Sequence, residues 1–98
     1  MSEVQIKIGE SGNGDFLIEE NGERIALMHV SIHGTTLTAM HTEVAELWKK
    51  HGLGNKLVEA MAEYARANKL KVNPLCPYTR TLFERYPERY SDLWEGAA

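Results

Sequence analysis

Apolar and polar residues alternate along the first half of the chain with the period of two that is typical of half-buried strands. Residues 4–8 show it most clearly, and the segments 16–20, 24–32 and 35–44 are predicted as three further strands. Turn-forming residues separate them, with SGNGD after the first, Asn21-Gly22 after the second and His33-Gly34 after the third. Asn-Gly between two such runs is a strong hairpin signal. The pattern therefore predicts an antiparallel meander of four strands.

Two of these strands carry a more specific expectation. The third is mostly apolar, so we expect it to be central in the sheet. In the fourth, period-two alternation predicts that Leu37, Ala39 and His41 share one face. The short segment AELW that follows is compatible with one helical turn or with a loop.

From Leu53 to about Asn68 the apolar residues recur with the period of an amphipathic helix. Residues 69–75 then form a short apolar run that predicts a fifth, buried strand. A second helix is expected over residues 76–90, with Pro77 at its first position and Pro87 ending it. Leu93 and Trp94 are expected to dock on the core, and the last residues to fray.

This order of elements predicts a mixed α/β (α+β) fold built as a single domain over residues 1–98. Four mainly antiparallel strands are followed by a helix, a fifth strand and a C-terminal helix. If the fourth and fifth strands run parallel, the helix between them is a right-handed crossover.

Composition narrows the class of protein. The 98 residues carry a net charge of −3 with a pI of about 5.8, which argues against a general nucleic-acid binder. The single cysteine, Cys76, allows neither an internal disulfide nor a cysteine metal site, and no metal is expected. Without a membrane-length apolar run or a signal-peptide core, the expectation is a cytoplasmic protein that does not bind membranes.

The stretch KKHGLGNKL, residues 49–57, is the densest basic cluster in this acidic chain, and it stands where the long helix begins. The start of a helix has unpaired N–H groups and a positive dipole end, so it binds phosphate readily. Gly52 and Gly54 would let a diphosphate approach without a Cβ clash, and Lys50, His51 and Lys56 could add charge. A loose turn with a solvated basic face is an equally good interpretation of this signal alone.

HTEVAELWKKHGLGNKLVEAMAEYA, followed by KVNPLCPYTRTLFERYPERYSDL, resembles the small N-acetyltransferases related to GCN5, the GNAT family. The resemblance extends from about Gly14 to Trp94. It implies a minimal GNAT fold, acetyl-CoA as cofactor, and transfer of an acetyl group to an amine. The family's phosphate loop, Gln/Arg-x-x-Gly-x-Gly/Ala, corresponds here to Lys49–Gly54 with Lys in the first place.

The resemblance also implies which residues form the cofactor site. In the family the fourth strand pairs with the pantetheine arm of acetyl-CoA, and the fourth and fifth strands splay apart to admit it. The residues implied along the arm are Met40, His41, Thr42, Glu43 and Val44, and Asn73 could bond to the arm or to a water. Those implied at the diphosphate are Lys49, Lys50, His51, Gly52, Leu53, Gly54, Asn55 and Lys56.

Three residues are candidates for the chemistry. His41 could act as the base or orient the substrate, because imidazole exchanges protons near neutral pH; it could also simply pack beside its strand. Cys76, at the N-cap of the last helix, could carry the acetyl group or be a small buried hydrophobe. The resemblance favours a functional Cys76, although direct transfer is the commoner mechanism in the family. Tyr78 is the candidate proton donor to the leaving thiolate, or else a packed ring.

The resemblance does not identify the amine that accepts the acetyl group. Larger GNAT enzymes place helices after the first strand, whereas GESGNGDFLI leads directly from strand to strand. An open acceptor side fits a small-molecule or protein amine and either a monomer or a homodimer. It also leaves open an alternative function, that of an acyl-CoA-binding module without catalytic activity.

Overall fold

The structure is a computed structural model that describes residues 3–94. Its strands are β1 (Gln5–Ile8), β2 (Asn13–Glu20), β3 (Glu23–His33), β4 (Thr36–Val44) and β5 (Lys71–Pro74). Its helices are α1 (Leu53–Ala67), α2 (Pro77–Arg85) and α3 (Pro87–Tyr90), with a short 3-10 helix at Glu46–Trp48. Among these residues no helix is both long and apolar enough to cross a membrane.

The five strands form one sheet in chain order, β1-β2-β3-β4-β5. The first four are antiparallel, and β4 pairs with β5 in parallel. The link between those two parallel strands contains α1, because a parallel connection must cross over the sheet. The predicted mixed α/β fold with a parallel fifth strand is thus confirmed.

The core lies between one face of the sheet and the helices. Leu57, Val58 and Met61 form the buried stripe of α1, and Tyr64 meets the ring of Phe16 edge-on with centroids 5.6 Å apart. Each such side chain contributes about 1.5–3 kcal/mol by leaving water. The opposite face of the sheet has no described helix packed on it. The domain is therefore two layers thick, helices on sheet.

The C-terminal segment closes the edge of β5. The amide of Val72 donates to the carbonyl of Leu93 at 2.7 Å, and Leu93 is buried in the core. Trp94 meets the ring of Phe83 edge-on at 5.8 Å. The expected docking of Leu93 and Trp94 is confirmed, while the predicted fraying falls on residues 95–98, outside the described range.

The predicted helix over residues 76–90 is in fact two helices. As predicted, α2 ends before Pro87, at Arg85, but Pro87 then occupies the first position of α3. Proline has no N–H to donate to the preceding turn, and its fixed φ suits the start of a helix. The same residue therefore ends one helix and begins the next. The segment AELW, for which the sequence allowed a helical turn or a loop, forms the 3-10 turn.

One prediction about β4 is wrong. His29 pairs with His41 and Val30 pairs with Ala39, so Met40 is an extra residue on β4, a β-bulge. Leu37 and Ala39 are fully buried, whereas His41 is exposed. Since an extra residue exchanges the two faces of a strand, His41 does not share the face of Leu37 and Ala39.

Candidate active site

β4 and β5 separate half-way along β4. Their last paired residues are Ala39 and Pro74, after which β5 ends and the chain turns, with the amide of Cys76 donating to the carbonyl of Ala39 at 2.7 Å. β4 continues to Val44. Over this second half of β4 no described strand pairs with the side that faced β5. The backbone groups along that side are available to another molecule.

A cavity of about 280 Å³ lies at this separation. Because the bulge at Met40 reverses the alternation, Thr42 and Val44 face the helices and line the cavity, in the positions that His41 and Glu43 would take in a regular strand. The lining residues are Thr42, Val44, Lys49, Gly52, Leu53, Gly54 and Tyr78. Every one of them was proposed from the sequence as a site residue.

The turn into α1 forms one wall of the cavity. Gly52 is the N-cap of α1 in the left-handed conformation, with φ 71° and ψ 20°, and a Cβ there would meet no atom within 4 Å. The first-turn amides of α1 have no acceptors within their own helix and form its positive dipole end. Lys49 adds a cationic side chain, which contacts Glu46 at 3.2 Å. Such a turn is suited to an anion.

Gly54 lies against the ring of Tyr78. A Cβ on Gly54 would lie 2.6 Å from the ring of Tyr78, closer than non-bonded carbons approach. The Tyr78 hydroxyl donates to Oδ1 of Asn55 at 2.7 Å, so the ring is held across the first turn of α1. The glycine therefore makes room for a tyrosine of the chain itself.

Burial raises the pKa of Tyr78, and the nearby Cys76 raises it further, although Arg85 opposes the shift. The phenol is therefore protonated throughout the neutral range. A protonated phenol beside the cavity can donate a hydrogen bond or a proton, which is the role the sequence assigned to Tyr78.

Cys76 lies behind the cavity wall and is only 3% exposed. Its sulfur is 3.2 Å from Oγ1 of Thr42. Burial by itself would raise the pKa of the Cys76 thiol. The Thr42 hydroxyl and the polar groups near the sulfur at the start of α2, which are the amides of Thr79 and Tyr78 and the Thr79 hydroxyl, together outweigh burial and lower that pKa. The environment of this cysteine thus favours the thiolate, which is the nucleophilic form.

Two predicted site residues on β4 lie on the other face of the sheet. Nε2 of His41 is 2.6 Å from Oε2 of Glu43, and both side chains are more than half exposed. Next to them on β3, His29 makes a similar pair with Asp15, at 3.0 Å. Met40 is 42% exposed on its bulge. The structure does not bring His41 and Cys76 together.

The remaining predicted residues lie outside the cavity lining. Lys50 and His51 are exposed in the turn before α1. Lys56 lines a separate groove between β1 and α1, beside Glu59. Asn73 is exposed on β5 and pairs with Thr38. Asn55 reaches the site through its bond to Tyr78.

Sequence reasoning missed the part played by Thr79, which lies in the first turn of α2 beside Cys76. Its side chain is fully buried, and its hydroxyl is the one buried side-chain oxygen or nitrogen within residues 3–94 that has no hydrogen-bond partner. The only signal in the sequence was the position of Thr79, three residues after the predicted N-cap. A side chain at that position can contact the N-cap residue. Within the same residues there is no group of three His, Cys, Asp or Glu that could hold a metal ion.

Comparison with known proteins agrees with this geometry. A family model described as GCN5-related N-acetyl-transferase matches residues 15–93. The chain belongs to the GCN5-related N-acetyltransferase family. The solution structure of a GCN5-like putative N-acetyltransferase from Staphylococcus aureus is similar to this GNAT chain, with a TM-score of 0.72 and 28% identity over 100% of this chain and 94% of the other. No curated protein sequence matches the chain.

Proposed function

We propose that this GNAT protein is an acetyl-CoA-dependent N-acetyltransferase that transfers an acetyl group to an amine. The observation that carries the proposal is the cavity at the separation of β4 and β5, which has an unpaired strand edge on one side, a glycine-containing helix start on another and Cys76 behind it. Family membership supports acyl transfer, and this arrangement supports an elongated thioester donor.

Groups in and beside the cavity suit the successive parts of the elongated donor. The amides at the start of α1, with Lys49, suit the diphosphate. The unpaired side of β4 from Met40 to Val44 suits the amide-containing pantetheine arm, which can pair with it as an added strand does. The exposed apolar side chains of Met40 and Leu75, which follow the last β4–β5 pair, suit the apolar parts of the arm or of the acceptor.

The reaction we propose proceeds through Cys76. In the first half, the Cys76 thiolate forms a bond to the acetyl carbon as the bond from that carbon to the sulfur of the donor breaks, and Tyr78 gives its proton to the departing sulfur. In the second half, the amine nitrogen forms a bond to the same carbon, Cys76 leaves as a thiolate, and the Tyr78 phenolate takes the surplus proton of the amine. Both residues return to their starting forms.

The geometry favours Tyr78 over His41 as the group that exchanges protons at Cys76. Tyr78 lines the cavity, whereas His41 is paired with Glu43 on the opposite face of the sheet.

The acceptor enters from an open side. Residues Gly9–Gly12 turn directly from β1 into β2, with the Gly12 amide donating to the Gly9 carbonyl at 3.0 Å, and no helix lies between these strands. An open side suits an amine on a small molecule or on a protein. The same feature is what favours the alternative of an acyl-CoA-binding module without catalytic activity.

Calorimetric titration with acetyl-CoA and with CoA tests the donor site. We expect micromolar binding of both, weakened roughly tenfold in Lys49→Gln by the loss of one charged contact to phosphate. Lys7→Gln, which removes an exposed lysine on β1, is the matched control and should bind normally. Absence of binding at millimolar ligand would exclude both the enzyme and the binding module.

A second measurement separates those two functions. Release of CoA in the presence of a panel of amines identifies an enzyme, and binding without release identifies a binding module. Mass spectrometry of the protein after incubation with acetyl-CoA alone tests the covalent route, because acetylation should appear on Cys76 and be absent in Cys76→Ala. An unmodified Cys76 together with amine-dependent CoA release would establish direct transfer.

A further inference from the structure

Thr79 presents a buried polar group that the fold itself does not explain. A hydroxyl taken out of water without a partner costs roughly 1–3 kcal/mol, and valine would fill the same space without that cost. Thr79 is fully buried, and its Oγ1 has no partner within the described part of the chain. A group retained at such a cost requires a reason in another state of the molecule.

The Cys76 sulfur is the acceptor that this hydroxyl can serve. Cys76 is the N-cap of α2 and Thr79 is the third residue after it, the position at which a side chain turns back toward the cap. The Thr79 hydroxyl is one of the groups that lower the pKa of the Cys76 thiol. A neutral thiol is a weak acceptor, whereas a thiolate accepts strong hydrogen bonds.

A second threonine reaches the same sulfur from the sheet. Thr42 Oγ1 lies 3.2 Å from Sγ, and it does so because the bulge at Met40 turns Thr42 toward the helices. Thr42 and Thr79 therefore approach Cys76 from two different elements, β4 and α2. The first-turn amides of Tyr78 and Thr79 also lower the pKa of the Cys76 thiol.

We propose that the hydroxyls of Thr42 and Thr79 both donate hydrogen bonds to the Cys76 sulfur when it is ionised, and that this pair makes Cys76 a nucleophile and a good leaving group. The inference deepens the proposed function, since the acetyl carrier must be a thiolate before it takes the acetyl group and again when it gives the group up. Stabilising the thiolate serves both steps, because the fraction ionised rises and a thiol of lower pKa leaves faster. Thr42 and Thr79 are positioning residues that act through Cys76.

The charged and titratable side chains around Cys76 have other partners, so the two threonine hydroxyls are the side-chain donors left for its sulfur. Tyr78, on α2, is protonated at neutral pH and its hydroxyl is bonded to Asn55. Lys49 lines the cavity before α1 and pairs with Glu46. On β4 the ionisable side chains nearest to Thr42, those of His41 and Glu43, pair with each other on the other face.

The ionisation of Cys76 can be measured directly because it is the only cysteine in the chain. In protein labelled with ¹³C at cysteine Cβ, the single resonance followed against pH reports the pKa of Cys76 without any ligand. We expect that pKa to rise in Thr79→Val and in Thr42→Val, and to stay close to that of the wild type in Thr79→Ser, which keeps the hydroxyl. The rate of alkylation of Cys76 at pH 7 should fall about tenfold in Thr79→Val.

Thr81→Val is the matched control. It removes a threonine hydroxyl from the same helix, one that donates to the carbonyl of Pro77 at 2.9 Å and is exposed, so the Cys76 titration should not move. Thr79→Val should fold, since it removes only an unpartnered hydroxyl. If the titration of Cys76 is unchanged in both Thr79→Val and Thr42→Val, the inference is overturned.

The outcome is separable from the proposed function. If the pKa of Cys76 shifts in Thr79→Val but the protein has no acetyltransferase activity, the inference about the thiolate stands and the proposed enzymatic function is wrong. If the enzyme is active but the pKa of Cys76 is unchanged in both threonine variants, the proposed function stands and the inference about the threonines is overturned.

Discussion

The hydroxyl of Tyr78 donates a hydrogen bond to the side chain of Asn55, 2.7 Å away across the first turn of α1. This contact joins the start of α2, where Cys76 lies, to the glycine-containing turn that is suited to phosphate. This hydrogen bond, beside the packing of the Tyr78 ring against Gly54, therefore joins the two parts of the proposed donor site.

Removing the Tyr78 hydroxyl should separate catalysis from binding. In Tyr78→Phe the ring stays over Gly54 but the proton donor is lost, so we expect kcat to fall at least tenfold with little change in acetyl-CoA affinity. Steady-state kinetics beside calorimetry would measure both.

Asn55→Ala is the control for that substitution. It breaks the same hydrogen bond while leaving the phenol in place, and both variants should lose about 0.5–1.5 kcal/mol of stability. Equal losses of kcat in the two variants would mean that the bond, rather than the proton of Tyr78, is what matters.

Gly54→Val should abolish CoA binding by placing a side chain between the start of α1 and the ligand. It should also displace the Tyr78 ring, because a Cβ at this position would lie only 2.6 Å from ring atoms of Tyr78. The double variant Gly54→Val/Tyr78→Ala, with Tyr78→Ala alone as reference, separates these effects by calorimetry. Binding that stays lost assigns the glycine to the phosphate, and binding that returns assigns it to the tyrosine alone.

Gly52→Ala should weaken both stability and CoA binding. Gly52 has a φ of +71°, and an L-residue in that region costs roughly 1–2 kcal/mol. Gly34 in the β3–β4 turn has a φ of +61° and the same open surroundings, so Gly34→Ala is a matched control for the backbone cost. Chemical denaturation should give similar losses for the two. Loss of CoA affinity in Gly34→Ala as well would mean that Gly52 has no local role.

The sheet and the first helix could be predicted because apolar residues within residues 4–67 recur with the spacings typical of strands and of an amphipathic helix. The bulge could not. Ala39 and Met40 are two consecutive apolar residues, and only the pairing of β4 with β3 shows that Met40 is an extra residue. The face assigned to His41 was therefore wrong, while the segment that carries it was right.

Only part of the site could be predicted, because only some of its residues are neighbours in the sequence. The residues of the turn into α1 are contiguous, so a motif finds them, and Lys49, Gly52 and Gly54 do line one cavity. Contacts between distant segments leave no such local signal. The approach of Thr42 to Cys76 depends on a bulge and on a turn after β5, and the orphaned hydroxyl of Thr79 is visible only once the core is packed.

Asp92 links the C-terminal segment to α1. Arg66 donates two hydrogen bonds to the Asp92 carboxylate, at 3.0 and 3.1 Å, and this pairing lowers the pKa of Asp92. A carboxyl group whose pKa is lower in the folded state stabilises the fold above its unfolded pKa, and that contribution is lost as pH falls through the lowered value. Because the Asp92 side chain is 58% exposed, solvent screening limits the contribution to about 0.5–1 kcal/mol.

We therefore expect Asp92→Asn to lower the Tm at pH 7 by about 2–6 °C and to bring wild type and variant together in strong acid. Thermal denaturation followed by circular dichroism from pH 2 to 7 would measure it. Glu84→Gln, which breaks the exposed Arg80–Glu84 pair on α2, is the control and should cost only about 0.3–0.5 kcal/mol. A difference between wild type and Asp92→Asn that persisted unchanged into strong acid would show that the ion pair with Arg66 is not its cause.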